Sequence, residues 1–399
     1  MIKRTWLAGI VSTVIFGFVT LALGAQPAIA SPPTVTVGHV NYSYDPSHPE
    51  LGATIIGEDG SLGDTLSPPE SITVSNVQYA VVAIADYAFD DNVALRHVTM
   101  PASIRQIGIH AFSQTTSGGI TDIQLNDGLV TIGSSAFFRT SLSVLDIPDS
   151  VTTLGYCVAC SIPSLTDLFI SQSLTAIPDS AFMYNTALTY VEIPGSVTTI
   201  GNSAFYLDPL EGLYIPGNVV SIGSMAFALS VSPVIFDGAP PAVDSQYPPF
   251  SSGVQVNFTC PYASAIVAGQ WNGYPAEAYC AVTLHAWPGV SVPFVQTTYG
   301  GHVTAPPTPT YSGYDFAGWF TDNSLTTPFD FSAALYSDQQ AFAKWVPASS
   351  VPTAEPSALA HTGSNVPSAV AGSLALFIVG VMLFILNRKN NAQQRQKMK

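Results

Sequence analysis

Positive charge is scarce in this sequence. Its 399 residues include 11 lysines and arginines against 26 aspartates and glutamates. Two basic residues lie near the start and five near the end, so the region between them has four basic and 26 acidic residues, a formal charge of −22. A nucleic-acid-binding protein needs a basic surface, so nucleic acid is excluded as a partner. An acidic exterior favours solubility and repels anionic polymers.

Cysteine is also scarce, with four residues in the chain. Cys157 and Cys160 form a single C-x-x-C motif, and Cys260 and Cys280 flank a loop farther along. A zinc site needs a second pair or nearby histidines, and a thioredoxin-like redox motif needs a βαβ context; the sequence has neither. Cysteine pairs close as disulfides in an oxidising compartment, so we expect structural disulfides or inert thiols.

Catalytic motifs are missing as well. The sequence has no G-x-S-x-G nucleophile elbow, no H-E-x-x-H motif and no P-loop. Six of the seven histidines are dispersed, and none has a metal-ligand spacing to another. We therefore expect no catalytic residue, no metal and no cofactor, and an enzyme is the least favoured function.

The N-terminus has the pattern of a secretory signal peptide. Lys3 and Arg4 precede an apolar run over residues 6–22, and Ala28-Ile29-Ala30 stands before Ser31. This order of basic, apolar and small residues predicts a signal peptide over 1–30, cleaved between Ala30 and Ser31. The alternative is an N-terminal membrane anchor.

The C-terminus predicts a membrane helix. The apolar run 369–386 contains 18 residues, and at 1.5 Å per residue a helix of that length spans about 27 Å, enough for the hydrocarbon core of a bilayer. The tail 387–399 carries five basic residues, which is typical of a cytoplasmic end. We expect contact with the membrane only through this helix.

Between residues 83 and 236 the chain repeats itself. Strand-closing apolar residues recur at intervals of 25, 22, 23, 23 and 22 residues, at Met100, Leu125, Ile147, Ile170, Ile193 and Ile215. A period in the low twenties with an L-x-x-L-x-I core predicts a leucine-rich solenoid, because one such unit cannot bury its apolar side alone. In Leu188–Ile193 we expect a strand with inward Leu188, Val191 and Ile193. A turn, a second short strand such as VTTIG and a buried Ala-Phe pair then follow.

The repeated unit SVTTIGxxAF resembles the BspA-type leucine-rich repeat of bacterial surface proteins, over about 83–236. One turn departs from it, since LGYCVACSIPSL puts Ala159 or Cys160 where phenylalanine stands elsewhere. The resemblance implies a mainly β fold with N-terminal cap strands over 31–82. It also implies a closing turn over 237–280, with a possible Cys260–Cys280 staple.

The segment 281–345 has a different pattern. It alternates apolar and polar residues between glycine and proline turns, which predicts a small all-β unit. Its landmarks YGGHVTAPPTPTYSGYDFAGWF and AFAKW are similar to the internalin-type β-repeat (Flg_new), which implies a compact β-grasp-like module serving as a spacer or auxiliary contact. We expect its core at Tyr314, Phe316, Trp319 and Trp345. Residues 346–358 form a Pro/Ser/Ala linker.

The outward positions of the predicted repeat strands form a candidate ligand face. Aromatic residues are enriched in binding hot spots, and solenoids bind along such faces. The candidate residues are His97, Asp146, Asp167, Phe169, Tyr190, Glu192 and Tyr214. The alternatives are an ordinary solvated sheet face, or a ligand on the opposite side of the solenoid.

Leu359, Ala360, His361, Thr362 and Gly363 precede the apolar run and the basic end. This order resembles the tripartite sorting signal of sortase substrates, with Ala360 where the LPxTG form has proline. The LAxTG form is similar to substrates of class E sortases of high-GC Gram-positive bacteria. It implies cleavage of the Thr362–Gly363 bond by sortase and transfer of Thr362 to peptidoglycan. The alternative is a tail that remains in the membrane.

These features together predict a secreted, non-catalytic surface protein, anchored to the cell wall of a Gram-positive bacterium and membrane-bound before sorting. Its expected partners are sortase, peptidoglycan and an extracellular protein or glycan ligand. A membrane-tethered structural protein or a pilus-tip-like protein is the alternative. Lys344 is the only lysine between the two ends of the chain, which argues against a pilus backbone because sortase-built polymers need an acceptor lysine.

Overall fold

The computed structural model describes residues 31–114, 118–229, 231–244, 246–286, 292–293 and 295–348. The predicted signal peptide with Ala30, most of the linker, the sorting pentad 359–363 and everything C-terminal to it lie outside these residues. The described structure is mainly β, with 25 strands joined by turns and two short 3-10 helices. No helix in the described ranges is long and apolar enough to cross a membrane.

Six strands precede the repeats. They are β1 (Thr34–Val37), β2 (Val40–Tyr44), β3 (Ala53–Glu58), β4 (Thr65–Leu66), β5 (Ser71–Val74) and β6 (Val77–Ile84), with a 3-10 helix at Pro49–Leu51. β1, β2 and β3 form an antiparallel meander, and β6 pairs with β3 in parallel. The apolar side of this unit is buried at Val40, Tyr42 and Ile55. Residues 31–84 therefore form a layer with one apolar face directed at the repeats.

Each repeat forms one coil, in most cases with a strand on each side. The front strands are β7 (His97–Thr99), β9 (Asp122–Gln124), β11 (Val144–Asp146), β13 (Asp167–Phe169) and β16 (Glu211–Ile215). The back strands are β8 (Gln106–Ile107), β10 (Thr131–Ile132), β12 (Thr153–Leu154), β14 (Ala176–Ile177), β15 (Thr199–Ile200), β17 (Ser221–Ile222) and β19 (Ala242–Val243). Coils pair in parallel, as Leu145 does with Leu168, and β6 pairs in parallel with β8. The predicted solenoid of stacked coils is confirmed.

One continuous hydrophobic core runs from Val40 to Ala278. Phenylalanine fills the middle of most coils and stacks on the phenylalanine of the next. The Phe205 ring lies 5.4 Å from that of Phe182 and 5.2 Å from that of Phe227, measured between centroids. Burial of these apolar side chains between coils makes the main favourable contribution to the free energy of folding.

Ala159, rather than Cys160, takes the phenylalanine position in the divergent coil. The Ala159 N–H donates to the carbonyl oxygen of Ala181, as the Phe182 N–H does to that of Ala204. The phenylalanine stack is interrupted at this coil, where Cys157 and Cys160 form a disulfide with a Cα–Cα distance of 5.1 Å. All three side chains are buried, so a disulfide and small residues replace the aromatic ring.

The strand predicted over Leu188–Ile193 is not formed. Its inward residues Leu188, Val191 and Ile193 are buried as expected, but no strand is assigned between β13 and β16 on this side. In the next coil Gly212 has φ +77°, and the register of β16 shifts between Glu211 and Leu213. A residue in the left-handed region interrupts the regular twist of a strand, and the segment Leu188–Ile193 beside it forms no regular strand.

Seven strands complete the described chain. They are β18 (Val231–Phe236), β20 (Val256–Thr259), β21 (Gln270–Trp271), β22 (Tyr274–His285), β23 (Val295–Thr298), β24 (Tyr314–Phe320) and β25 (Gln339–Pro347), with a 3-10 helix at Cys260–Ala265. β16, β18, β20, β22, β25 and β24 follow each other in one sheet. The last front strands of the solenoid and the strands of the C-terminal module therefore share one sheet.

β22 runs through the boundary predicted at residues 280/281. Its first half pairs in parallel with β20, with Ala276 opposite Val256. Its second half pairs in parallel with β25, with Val282 opposite Gln339. A disulfide joins Cys260 to Cys280 in the middle of this strand. One strand thus belongs to both the solenoid and the module.

The C-terminal module has its own small core. Trp319 is buried, and Phe316 and Trp345 are partly buried against the same cluster. Tyr314, also expected in this core, is 37% exposed. It lies at the start of β24, the last strand of the sheet, and an edge strand packs against one neighbour only.

Candidate ligand-binding groove

The outward positions of the front strands alternate with buried residues, as the strand period requires. Asp146 lies opposite Phe169 in the β11–β13 pair, next to the buried Leu145 and Leu168. His97 on β7 is exposed, whereas the other six candidate residues are half-buried. All seven candidate residues thus belong to the front of the coils.

Three of the seven candidate residues line one concavity. Tyr190, Glu192 and Tyr214 border a groove with a volume of about 610 Å³. His97, Asp146, Asp167 and Phe169 are not among its lining residues; they lie on front strands nearer the N-terminus. The structure therefore brings together the C-terminal part of the predicted face and leaves the N-terminal part outside the groove.

Sequence reasoning missed three polar residues of this groove. Gln172, Asn218 and Asp237 also line it, and each lies in the turn that follows a front segment. Asn218 follows Pro216-Gly217, and Asp237 precedes Gly238. These turn signals could have identified them, since side chains at the ends of adjacent parallel strands meet at one edge of a sheet.

The groove lies where the front ladder is irregular. Tyr190–Glu192 is the segment without a regular strand, and Gly212 of the next coil also lines the groove. The Glu211 N–H still donates to the Thr189 carbonyl oxygen at 2.8 Å, so the two coils remain joined at one end. Beyond this bond the Tyr190–Glu192 segment forms no regular strand beside β16.

The hydroxyl of Tyr214 donates a hydrogen bond to Asp237 Oδ2. Partial burial, reinforced by this hydrogen bond and the negative charge of Asp237, raises the pKa of Tyr214 far above its ordinary value. The phenol therefore stays neutral at physiological pH and remains a donor. This bond fixes the positions of one aromatic ring and one carboxylate on the groove wall.

The groove wall combines aromatic and polar side chains. They include two tyrosines, carboxylates and side-chain amides, and no lysine, arginine or histidine lines the groove. No group of three or more histidine, cysteine, aspartate or glutamate residues in the described ranges could hold a metal ion. A concave surface with aromatic walls and a few convergent polar groups is the usual form of a ligand site.

Two family comparisons match most of the described chain. The family described as BspA type leucine rich repeat region matches in six copies, within residues 70–118, 82–207 and 117–232. The Listeria-Bacteroides repeat domain matches residues 282–347. Among curated proteins none matches the chain.

Several solved leucine-rich repeat structures are similar to the chain. A leucine-rich repeat protein from Bacteroides ovatus is 15% identical, with 61% of this chain and 76% of that chain covered and a TM-score of 0.37. The leucine-rich repeat protein of T. pallidum is 23% identical, with 57% and 86% covered and a TM-score of 0.36. A leucine rich cell surface protein from Faecalibacterium prausnitzii is 16% identical, with 53% and 96% covered and a TM-score of 0.21.

The matched ranges agree with the architecture. The first covers the coils of the solenoid, and the second begins inside β22 and ends with β25. Residues 70–232 are therefore a BspA-type leucine-rich repeat region, and residues 282–347 are a Listeria-Bacteroides repeat domain.

Proposed function

We propose that this chain is a non-catalytic cell-surface protein that binds an extracellular ligand through the front of its solenoid. The observation that carries the proposal is the groove that contains Tyr190, Glu192 and Tyr214. Tyrosine contributes a large contact area and a polar group at low entropic cost. Stacked repeats hold such side chains on a rigid surface, which lowers the cost of ordering them on binding.

A binding screen tests this function. The full-length chain, purified in a mild detergent, is applied to arrays of extracellular-matrix proteins and glycans. A variant with Tyr190→Ala and Tyr214→Ala is applied in parallel. We expect a ligand that the unaltered chain binds and the variant binds at least about tenfold more weakly, a loss of about 1.4 kcal/mol.

A matched control separates the groove from the rest of the surface. Tyr156 and Tyr247 are exposed tyrosines outside the groove lining, and their replacement by alanine should leave binding unchanged. Equal losses in both double variants, or no loss in either, would refute the assignment of the groove.

The same proposal includes display on the cell wall. The order of Leu359-Ala360-His361-Thr362-Gly363, the apolar run 369–386 and the basic end supports covalent attachment by a sortase. The sortase cysteine would attack the carbonyl carbon of Thr362 and release Gly363 with the C-terminal segment. An amine of the peptidoglycan stem would then take the Thr362 acyl group, forming a new amide and freeing the cysteine.

Mass spectrometry tests this attachment. Purified cell walls are digested with a muramidase, and peptides that end at Thr362 are identified. A fragment in which Thr362 carries a peptidoglycan stem supports the proposal. Recovery of the protein only in membranes, with Gly363 to Lys399 intact, would refute it and favour a membrane-tethered binding protein.

A further inference from the structure

The groove is acidic, and its surroundings lack positive charge. Glu192 and Asp237 line it, and no lysine or arginine occurs in the sequence between Arg139 and Lys344. Every coil from the divergent one to the end of the solenoid therefore lacks a basic side chain that could neutralise these carboxylates. Carboxylates on a concave wall concentrate the negative potential of the molecule in the groove.

The four basic residues of the described chain already have local contacts elsewhere. Arg96 Nη1 donates to the Gly119 carbonyl oxygen at 2.7 Å, and Arg105 Nη1 to that of Ala102 at 3.0 Å. The Arg139 guanidinium lies 5.0 Å from the centroid of the Phe138 ring. Lys344 Nζ lies 4.9 Å from that of Phe320. None of the four lines the groove.

We propose that the groove binds an arginine-bearing segment of an extracellular protein; this inference rests on the proposed function of the groove. A guanidinium group has five N–H donors in a fixed plane and no acceptor, and the groove wall offers carboxylate and amide oxygens from Glu192, Asp237, Gln172 and Asn218. The same planar group stacks on tyrosine faces, which Tyr190 and Tyr214 supply.

Charge complementarity favours this partner over a neutral saccharide. A saccharide could stack on the same tyrosines and donate its hydroxyls to the same oxygens, but it would bring no positive charge to the two carboxylates. The region between the two chain ends carries a formal charge of −22, which accelerates association with a cationic segment and repels an anionic one.

A pair of matched peptides provides the test. The full-length chain in detergent is titrated with a rhodamine-labelled peptide, Gly-Arg-Gly-Arg-Gly, and binding is followed by fluorescence anisotropy. The control peptide has citrulline, the uncharged isostere, at both arginine positions. We expect the arginine peptide to bind at least about tenfold more tightly and its affinity to fall steeply between about 0.05 M and 0.5 M salt.

Two double variants distinguish binding in the groove from general attraction of a cationic peptide to an acidic protein. The first carries Glu192→Gln and Asp237→Asn, which retain an oxygen acceptor at each position. The second carries Asp127→Asn and Asp315→Asn, which remove the same charge from exposed positions outside the groove lining. We expect at least about a tenfold loss of affinity in the first variant and less than about a twofold change in the second.

Three outcomes would overturn the inference. They are equal affinities for the arginine and citrulline peptides, equal losses in the two double variants, and salt-independent binding of chitohexaose in place of either peptide. The last outcome would assign a saccharide to the groove and leave the proposed binding function intact. The proposed binding function of the groove is refuted by a different result, in which the Tyr190→Ala and Tyr214→Ala double variant binds every array component with the same affinity as the unaltered chain.

Discussion

Asp208 is a buried carboxylic acid whose neighbours are suited to an amide. Its Oδ1 accepts a hydrogen bond from the Asn185 N–H at 2.7 Å, and its Oδ2 has no partner. Asn185 holds the equivalent position one coil earlier, where its Nδ2 donates to the carbonyl oxygens of Ala159, at 3.1 Å, and Phe182. Asp208 lies 23 residues after Asn185, one coil farther along the solenoid. A hydrogen-bond donor at the position of its Oδ2 would therefore face the equivalent carbonyl oxygens, those of Phe182 and Phe205.

Burial raises the pKa of Asp208 well above its ordinary value. The folded chain therefore keeps a proton that the unfolded chain releases, and the free energy of unfolding falls as pH rises through the folded pKa. We expect Asp208→Asn to raise the free energy of unfolding at about pH 8 by about 1–3 kcal/mol, because the amide supplies the missing donor. At pH below the ordinary aspartate value of about 3.9 the gain should vanish.

Urea denaturation of the variant and the unaltered chain across this pH range measures the effect. Asp127→Asn, at an exposed position, is the control and should change the unfolding midpoint little at any pH. A stability gain that is equal at all pH values would contradict the explanation by protonation.

Gly133 lies where two neighbouring coils approach each other closely. A Cβ added there would lie 2.6 Å from the backbone carbon of Gly108 in the preceding coil, closer than packed atoms allow. We expect Gly133→Ala to lower the free energy of unfolding by about 1–3 kcal/mol, since the coils must separate. Gly195→Ala is the control because no heavy atom lies within 4 Å of the added carbon. Thermal unfolding of both variants measures the difference, and equal midpoints would contradict it.

At the scale of elements, the sequence predicted the strands wherever the repeat is regular. The spacing of Leu145, Leu168 and their equivalents identified the buried positions, because alternation along a strand depends on the local sequence. It could not predict the interruption at Tyr190–Glu192, which lies beside the bulge at Gly212 in the next coil. Tyr190, Glu192 and Tyr214 were therefore found from the strand pattern, whereas Gln172, Asn218 and Asp237 lie in turns, outside the strand positions from which the face was predicted.

The two disulfides should differ in their contribution to stability. Cys260 and Cys280 are 20 residues apart, whereas Cys157 and Cys160 are three apart. A longer closed loop restricts the unfolded chain more, and a loop of this length corresponds to about 3 kcal/mol. We expect Cys260→Ala with Cys280→Ala to lower the free energy of unfolding by about that amount.

The double variant Cys157→Ala with Cys160→Ala is the natural comparison. It likewise removes two buried cysteine sulfurs, but its short loop predicts a smaller loss. Guanidinium denaturation of the two double variants measures the difference. A larger loss at Cys157 and Cys160 would mean that local packing around Ala159, rather than loop length, determines the effect.

At the scale of the whole molecule, sequence patterns distinguished the solenoid from the C-terminal module but could not show how they are joined. The change of pattern near residue 281 marks a change of repeat type. The backbone crosses it without a break, as β22 pairs with β20 on one side of that point and with β25 on the other. Strand pairing between distant segments leaves no local signal in the sequence. A ligand contact at the groove is therefore connected to the module through a single sheet.

This shared strand predicts that damage to the module spreads into the solenoid. Trp319 is 7% exposed in the module core, and its replacement by alanine should cost about 3–5 kcal/mol. Because β25 supports the second half of β22, we expect Trp319→Ala to reduce hydrogen-exchange protection along all of β22, including Ala276–Ala278 opposite β20. Hydrogen exchange with mass spectrometry resolves these segments.

Phe112→Ala provides the control at the other end of the solenoid. Phe112 is buried between Phe89 and Phe137, so its loss should reduce hydrogen-exchange protection in the first coils. The effect should decrease from coil to coil, because stacked repeats interact mainly with their neighbours. β25 should then keep the protection of the unaltered chain. In the Trp319→Ala variant, β24 and β25 could exchange freely while Ala276–Ala278 stays as protected as in the unaltered chain. That result would mean that the module and the solenoid open independently despite their common strand.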